Sequence, residues 1–376
     1  MHKPLSYSVY IRSNKKKTAG MIISIGLGIF LIAVIQFFTN NMFDTYSRGN
    51  IQYEYMSNIW STKGNISKNI MTKIENSDYV EKIIKVNTYG YMINNILGSD
   101  ADYSGYYATE SDIKYIMDKM NLKLEQGKFS ENADKEVIIN ENIARSRKLK
   151  IGDYMGSDVS QFDWFHGKYK ISGIMKGNNI ISFIPTSEEG INSSAYGYSN
   201  YLIIPKSGKL NELNKFLNTL PKEGINLMTL DSIRNDDNAD MNNFNMIFNI
   251  VIIVMIVVLS ITLGNSAYVH YYQRRMEFGL LAAAGFRQID IILRAFKEIL
   301  ISCFIGFITG FLFIEIFMVS MNKLYIYPHG LGFLTVKADL IIRIIAIPIF
   351  ICVFSLIPIS ILLSKIEPIS IIERNE

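Results

Sequence analysis

The sequence is poor in the residues that build catalytic and metal sites. It contains two cysteines and four histidines in 376 residues, and its charged fraction of 19% is below the roughly 25% of soluble domains. Both cysteines, Cys303 and Cys352, lie in apolar stretches, so no disulfide framework is available. The scattered histidines argue against a zinc site. The G-x-x-x-x-G-K-[ST] string of a P-loop is missing, so we expect neither a directly bound cofactor or metal nor enzymatic activity.

The sequence instead has four long stretches that carry almost no charge. Each approaches or exceeds the about 20 apolar residues needed to cross a bilayer, which excludes a fully soluble protein. A signal peptide competes for the first stretch, but its apolar run is longer than about 7–15 residues and no small-x-small cleavage site follows. We therefore predict a multi-pass protein of the cell membrane, with transmembrane helices at 18–39, 246–268, 299–320 and 340–363.

The distribution of charge predicts the orientation of these helices. Residues 1–18 contain five basic residues and no acidic one, and the loop 269–298 contains five basic and three acidic residues. Basic residues favour the cytoplasmic side, and here they flank the membrane, so we expect no nucleic-acid partner. The predicted cytoplasmic parts are the N-terminal segment 1–17, the loop 269–298 and the tail 364–376, and the outer parts are 40–245 and the short loop 321–339.

The long outer segment 40–245 is large enough for its own core. Its first part, 41–80, has loosely helical spacing, and short β-rich runs then alternate with helical ones. The fold class is therefore an α-helical membrane protein with four transmembrane helices, plus a large mixed α/β extracytoplasmic domain between helices one and two. The predicted strands are 79–86, 136–140, 169–174 and 201–204, and the predicted short helices are 141–149 and 210–220.

Two features inside the spans predict contacts between helices. Gly306-x-x-x-Gly310 is typical of helices that approach closely in lipid. Glu315 and Arg343 are the only charged residues within the apolar stretches of the spans, at similar predicted depth in spans three and four. They are candidates for an intramembrane ion pair. The alternative is that each extends separately to the membrane surface.

The most distinctive segment is Q-R-R-M-E-F-G-L-L-A-A-A-G-F at 273–286. It resembles the cytoplasmic loop of FtsX-like permeases, the membrane subunits of MacB-type ABC transporters, whose pattern is R-R-x-E-[IF]-G-[IL]-L-[RK]-A-[LI]-G. Family members carry a glutamate about a dozen residues later, which matches Glu298, and the sequence departs from the pattern at Ala282 and Ala284. The resemblance assigns coupling to an ATPase to Arg274, Arg275, Glu277, Phe278, Gly279, Leu281, Ala283 and Gly285.

The residues of this loop also suggest a docking helix. A short helix would place Phe278, Leu281, Ala282 and Gly285 on one nearly flat apolar face, where small residues allow a partner to approach. Glu277 near its N-terminus would be favoured by the helix dipole by about 0.3–1 kcal/mol. The alternative is an amphipathic helix that rests on lipid headgroups.

The resemblance implies a function and a set of partners. It implies the permease subunit of a MacB-type ABC transporter, in which a separate ABC ATPase binds ATP and Mg and drives conformational change in the outer domain. A second permease copy or a paralogue, membrane lipid and an extracytoplasmic accessory protein are the other expected partners. The cargo of such export or extraction would be a peptide or a lipid-like molecule. Alternatives are an FtsX-like regulator of an extracellular cell-wall hydrolase or sensor partner, and a membrane-tethered receptor.

Overall fold

The structure is a computed structural model, and it describes residues 15–61, 64–94, 100–129, 135–192, 200–221, 223–336 and 338–364. The predicted tail therefore lies outside the described residues from 365 onward, as do residues 1–14. The chain divides into two compact units. The helical unit contains residues up to Thr39, Phe244–Met321 and the chain from Leu334, and the α/β unit contains Asn40–Asn243 and Asn322–Phe333.

Four long helices confirm the predicted number of membrane-spanning segments. They are α1 (Lys15–Arg48), α7 (Leu230–Gln273), α9 (Gln288–Met321) and α10 (Ala338–Ser364). Each contains a stretch long and apolar enough to cross a membrane. The four stretches are Thr18–Thr45, Asn242–Gln273, Gln288–Ile326 and Leu340–Leu362. The first three are longer than the predicted spans, because polar residues at their flanks continue the same helices.

The surface of the helical unit is apolar. Large side chains such as Ile253, Ile316 and Ile342 are exposed along the helices, while Ser260, Ser302 and Ser355 are buried. Lipid tails are as apolar as leucine, so such side chains gain little from burial in protein, and small residues instead allow helices to pack closely.

Helices α1 and α9 pack through glycines, which confirms the close contact predicted for Gly306 and Gly310. A Cβ atom on Gly310 would lie 3.0 Å from the carbonyl oxygen of Gly26 and 3.0 Å from the side chain of Ile29. A Cβ atom on Gly306 would lie 2.7 Å from the side chain of Ile25. Only a residue without a side chain allows the two backbones to come this close.

The ion pair predicted between Glu315 and Arg343 is not formed. Arg343 of α10 donates a hydrogen bond to the side-chain oxygen of Asn249 on α7. Glu315 has no salt bridge to any residue that the structure describes. The prediction was wrong because equal depth in consecutive spans does not determine which neighbouring helix a side chain faces.

The α/β unit is built on an eleven-stranded sheet. Its strand order is β11-β1-β10-β2-β3-β9-β5-β8-β4, with β6 beside β8 and β7 beside β2. The strands are β1 Ser57–Ser61, β2 Val80–Asn94, β3 Asp100–Ala108, β4 Lys123–Gly127, β5 Glu136–Asn140, β6 Tyr154–Met155, β7 Asp163–Trp164, β8 Tyr169–Lys176, β9 Ser182–Pro185, β10 Asn200–Pro205 and β11 Ile225–Met228. The helices are α2 Lys68–Glu75, α3 Glu110–Lys119, α4 Glu141–Arg147, α5 Glu188–Asn192 and α6 Leu210–Asn218.

This mixed architecture confirms the predicted fold class, with one local difference in the segment 41–80. That segment was predicted to be helical, but it contains strand β1. Strand β1 lies between β10 and β11 and pairs with both in antiparallel register. Its partners lie more than 130 residues away in the sequence, so the local pattern carries little information about this pairing.

Candidate coupling site

The loop between α7 and α9 contains the predicted short helix, α8 (Arg275–Ala283). Its C-terminal end is closed by a Schellman motif. The N–H of Gly285 donates to the carbonyl of Ala282 at 3.1 Å, and the N–H of Phe286 donates to the carbonyl of Leu281 at 3.2 Å. Gly285 has φ of +88°, a left-handed conformation that glycine adopts without strain. Gly285 therefore ends the helix, whatever else it does.

The other end of α8 is held by a buried ion pair. Arg274 immediately precedes the helix, and its Nη1 donates to Oε2 of Glu298 on α9 at 2.7 Å. Its Nε donates to Oε2 of Glu277 at 3.0 Å. The hydroxyl of Tyr271 also donates to Oε2 of Glu298, at 3.2 Å. Arg274 is 8% exposed and Glu298 is 5% exposed, so the pair joins α8 to α9 away from solvent.

The environment of Arg274 keeps its positive charge. Burial by itself lowers the pKa of the Arg274 guanidinium, but hydrogen bonds and charges from Glu298 and Glu277 outweigh it and raise the pKa overall. The guanidinium also lies over two aromatic rings, 5.0 Å from the centre of Phe278 and 5.8 Å from that of Tyr271. Such cation–π contacts add to the stability of a buried arginine.

The position of Glu298 differs from the one expected. The predicted third span begins at residue 299, immediately after this glutamate. Helix α9 instead begins ten residues before Glu298, at Gln288, so Glu298 lies in its third turn. A carboxylate this far inside an apolar helix requires a partner, and Arg274 supplies it.

Half of the predicted coupling residues are not accessible. Arg274, Phe278, Gly279 and Leu281 are buried within the helical unit. Phe278 stacks on Tyr271, with ring centres 5.8 Å apart. The docking face predicted around Phe278 and Leu281 is therefore wrong, because both side chains are buried and Phe278 packs on α7.

The accessible face of α8 is a different one. Met276, Leu280, Ala283 and Phe286 are exposed, and Leu280 has the largest exposed fraction among them, 66%. The spacing of 276, 280 and 283 is itself a helical stripe, and it lies on a different side of α8 from the predicted stripe through Phe278.

Three other predicted coupling residues are accessible on α8 or immediately after it. The side chain of Glu277 is 47% exposed, and Ala283 and Gly285 are exposed. Arg275 is half-buried, with its guanidinium 4.4 Å from the centre of the Tyr272 ring. The site thus combines an exposed apolar stripe, formed by Met276, Leu280 and Ala283, with a buried ion pair between Arg274 and Glu298.

Two family models match the chain. The model described as FtsX-like permease C-terminal matches residues 249–368, which include α8 and the ion pair. The model described as MacB-like periplasmic core domain matches residues 18–231, more than half of the chain. The chain belongs to the FtsX-like permeases of the MacB type. This permease is therefore a multi-pass membrane subunit of an ABC transporter, and its family implies an ATPase partner. Both results confirm the resemblance inferred from the loop.

Known proteins similar to the permease include one from Staphylococcus haemolyticus, whose name assigns it to a hemin transport system as permease protein HrtB. It is 24% identical over 306 residues, which cover 75% of this chain and 78% of that protein. Among solved structures, the periplasmic region of MacB from Actinobacillus actinomycetemcomitans is 13% identical, with a TM-score of 0.31, and covers 48% of this chain and 92% of its own. The extracellular domain of the ABC-type transporter YknZ from Gram-positive bacteria is 16% identical, with a TM-score of 0.26. The match covers 44% of this chain and 89% of the YknZ domain.

Proposed function

We propose that the permease transmits the movement of a separate ABC ATPase from α8 into the membrane helices. The observation that carries the proposal is the buried Arg274–Glu298 pair, which ties the start of α8 to the third turn of α9. A connection that stays paired while the short surface helix is displaced is needed if that displacement is to move a membrane helix.

The contact surface for the ATPase is the exposed stripe of Met276, Leu280 and Ala283. Exposed apolar residues outside the membrane-crossing stretches favour a protein partner, and the small Ala283 allows close approach. The ATPase binds ATP and Mg, whereas the permease itself binds no cofactor and catalyses no reaction. This assignment requires α8 and both termini to be cytoplasmic, in a permease of the cell membrane.

The remaining partners follow from the architecture of the family. A second permease copy or a paralogue completes the membrane assembly, and an extracytoplasmic accessory protein receives the cargo. We propose that the cargo of export or extraction is a peptide or a lipid-like molecule. The relative named for hemin transport makes hemin one cargo to test. In a regulator of a cell-wall hydrolase, the transmission step would be the same and only its recipient would differ.

The docking surface is tested by placing a charge in the stripe. A central apolar contact contributes about 2 kcal/mol or more to an interface, so Leu280→Arg should weaken binding of the co-expressed cognate ATPase by about thirtyfold. Val159→Arg is the matched control, because Val159 is 47% exposed but belongs to the α/β unit and lies outside the membrane-crossing stretches. Co-purification with the ATPase is the measurement. Equal binding by both variants would contradict the docking surface.

The transmission step is tested separately with Glu298→Gln, which removes the charge of the pair and leaves the outer stripe unchanged. The ATPase should still co-purify, while stimulation of its ATP turnover by the permease should be lost. Loss of ATPase binding in this variant would instead make Glu298 a determinant of the docking surface. Normal stimulation would show that the pair transmits nothing.

A further inference from the structure

Between residues 40 and 243, the described part of the α/β unit exposes large hydrophobic side chains in one place. The large hydrophobic side chains that are exposed by more than 36% in this described part all lie between residues 151 and 164. Their exposed fractions range from 38% to 47%, and they are Ile151, Tyr154, Val159, Phe162 and Trp164. We refer to residues 150–168 as the aromatic loop.

The aromatic loop is held firmly to the rest of the unit. Asp163, whose side chain is fully buried, receives both Nη1 and Nη2 of Arg147, the second at 3.0 Å. It also accepts the N–H of Gly156 at 2.9 Å. The N–H of Met92 on β2 donates to the carbonyl of Phe162 at 2.9 Å. The exposed side chains are thus presented by an ordered backbone.

Side chains alternate regularly between the two sides of this loop. On β6, Tyr154 is exposed and Met155 is fully buried. On β7, Asp163 is buried and Trp164 is exposed, and the next residue, Phe165, is buried again. Because burial of large apolar side chains is favourable, an ordered loop that leaves several exposed indicates that another surface covers them.

The residues that accompany the exposed rings indicate what that surface is. Lys150 and Lys168 lie within the loop and Lys148 and Lys170 flank it. Of the three aspartates in the loop, Asp163 is paired with Arg147, and Asp153 and Asp158 are exposed. The ammonium of Lys168 lies 4.0 Å from the centre of the Tyr154 ring. Tryptophan and tyrosine interleaved with lysine are characteristic of protein at a lipid surface, where rings sit among headgroups and ammonium groups meet phosphates.

A second contact joins this region to the chain segment between two membrane helices. The loop Asn322–Phe333, which joins α9 to α10, packs against α4 within the α/β unit. Its Gly330 meets the backbone of Asn142, and Tyr327 lies under the guanidinium of Arg145 at 4.4 Å. Two residues further along α4 is Arg147, which holds the aromatic loop. Because an extended chain spans at most about 3.6 Å per residue, a short loop between two membrane helices stays near the membrane surface.

We propose that the aromatic loop is a membrane anchor of the α/β unit. Trp164, Phe162 and Tyr154 insert among the headgroups of the lipid surface, and Lys150 and Lys168 bind anionic lipid phosphates. The anchor fixes one edge of the α/β unit to the bilayer while the rest of the unit moves. It is independent of the ATPase docking surface, which lies on the helical unit.

The chain offers a direct test because it has two tryptophans, Trp60 and Trp164. The variant Trp60→Phe makes Trp164 the only tryptophan, and Trp164→Phe is the matched control that leaves Trp60. The full chain is placed in nanodiscs with lipids brominated near the headgroup end of their acyl chains. Trp164 emission should fall relative to unbrominated nanodiscs, and Trp60 emission should not change.

Lipid charge tests the role of the lysines. Quenching of Trp164 should be stronger in phosphatidylglycerol than in phosphatidylcholine, and the double variant Lys150→Gln with Lys168→Gln should lose this difference. Two outcomes would overturn the proposal. If aqueous iodide quenches Trp164 and brominated lipid does not, Trp164 lies in water. Trp164 shielded from both is covered by protein, either a second copy or another partner.

Discussion

The α/β unit and the helical unit each bury an arginine–carboxylate pair, but they use the arginine differently. In the α/β unit, Arg147 directs two nitrogens to the two oxygens of Asp163. In the helical unit, Arg274 divides its nitrogens between Glu298 and Glu277. A bidentate pair fixes the orientation of both side chains. Arg274 instead donates one nitrogen to the buried carboxylate of Glu298 and another to the half-exposed carboxylate of Glu277.

This difference matches what each segment has to do. Arg147 and Asp163 hold a surface loop in one conformation, so that its aromatic side chains keep their position. Arg274 holds the start of a helix that, in the proposed function, is displaced by an ATPase. An arginine with two acidic partners can remain paired while α8 changes its angle relative to α9. In the proposed function, the Arg147–Asp163 pair therefore fixes one conformation, and we call it the lock. The Arg274–Glu298 pair allows a change of helix angle, and we call it the joint.

The largest effect is expected when either pair is broken. Asp163→Ala and Glu298→Ala each leave a buried arginine without its main acceptor, which costs about 3–5 kcal/mol. Hydrogen exchange of peptides covering 148–168 and 271–298 in the full chain measures each loss locally. Lys209→Ala is the control, because the Lys209–Glu212 pair is exposed and such pairs contribute about 0–1 kcal/mol.

Lysine substitutions at the same arginines distinguish the lock from the joint. Lysine cannot reproduce a bidentate contact, so Arg147→Lys should accelerate exchange in its loop. Arg274→Lys should have a smaller effect, because a lysine ammonium can still reach one oxygen of Glu298. If Arg274→Lys were the more damaging change, the comparison between the two pairs would fail.

An intermediate effect is expected in the packing of the membrane helices. Gly310→Val introduces side-chain atoms where a Cβ alone would already be 3.0 Å from Gly26 and Ile29, and such overpacking costs about 1–3 kcal/mol. Thermal unfolding in detergent measures it. Gly20→Ala, in α1 with nothing within 4 Å of the added Cβ, should be neutral or slightly stabilising. Equal stability of the two variants would mean that α1 and α9 are not in close contact.

The smallest effect is expected at the end of α8. Gly285→Ala forces a side chain into a left-handed conformation at a cost of about 1–2 kcal/mol, and Gly285→Asn should cost less because asparagine tolerates this region. Hydrogen exchange at 281–286 should follow that order. No rescue by asparagine would indicate that Gly285 is required for contact with a partner rather than for its φ. The joint at Arg274 should be unaffected by either change.

Much of the architecture is predictable from the sequence, because it depends on local composition. Long uncharged stretches indicate membrane helices whatever their neighbours are. Strand β5 has its predicted bounds because it is a short apolar run between polar residues. The glycines at 306 and 310 predicted a close contact, but only the structure identified α1 as the partner.

The candidate site was only partly predictable for the same reason. The sequence alone determined that 273–286 contains a short helix, and its motif determined the family. It placed Gly285 on the apolar face of that helix, whereas the structure places Gly285 beyond the end of the helix. Which face of that helix is buried was decided by Tyr271 and Glu298, through contacts that bring α7 and α9 against α8. The same holds for Arg343, which bonds to Asn249 rather than to Glu315. Hydropathy and turn signals act over a few residues, whereas the partner of a buried charge depends on how separate helices pack.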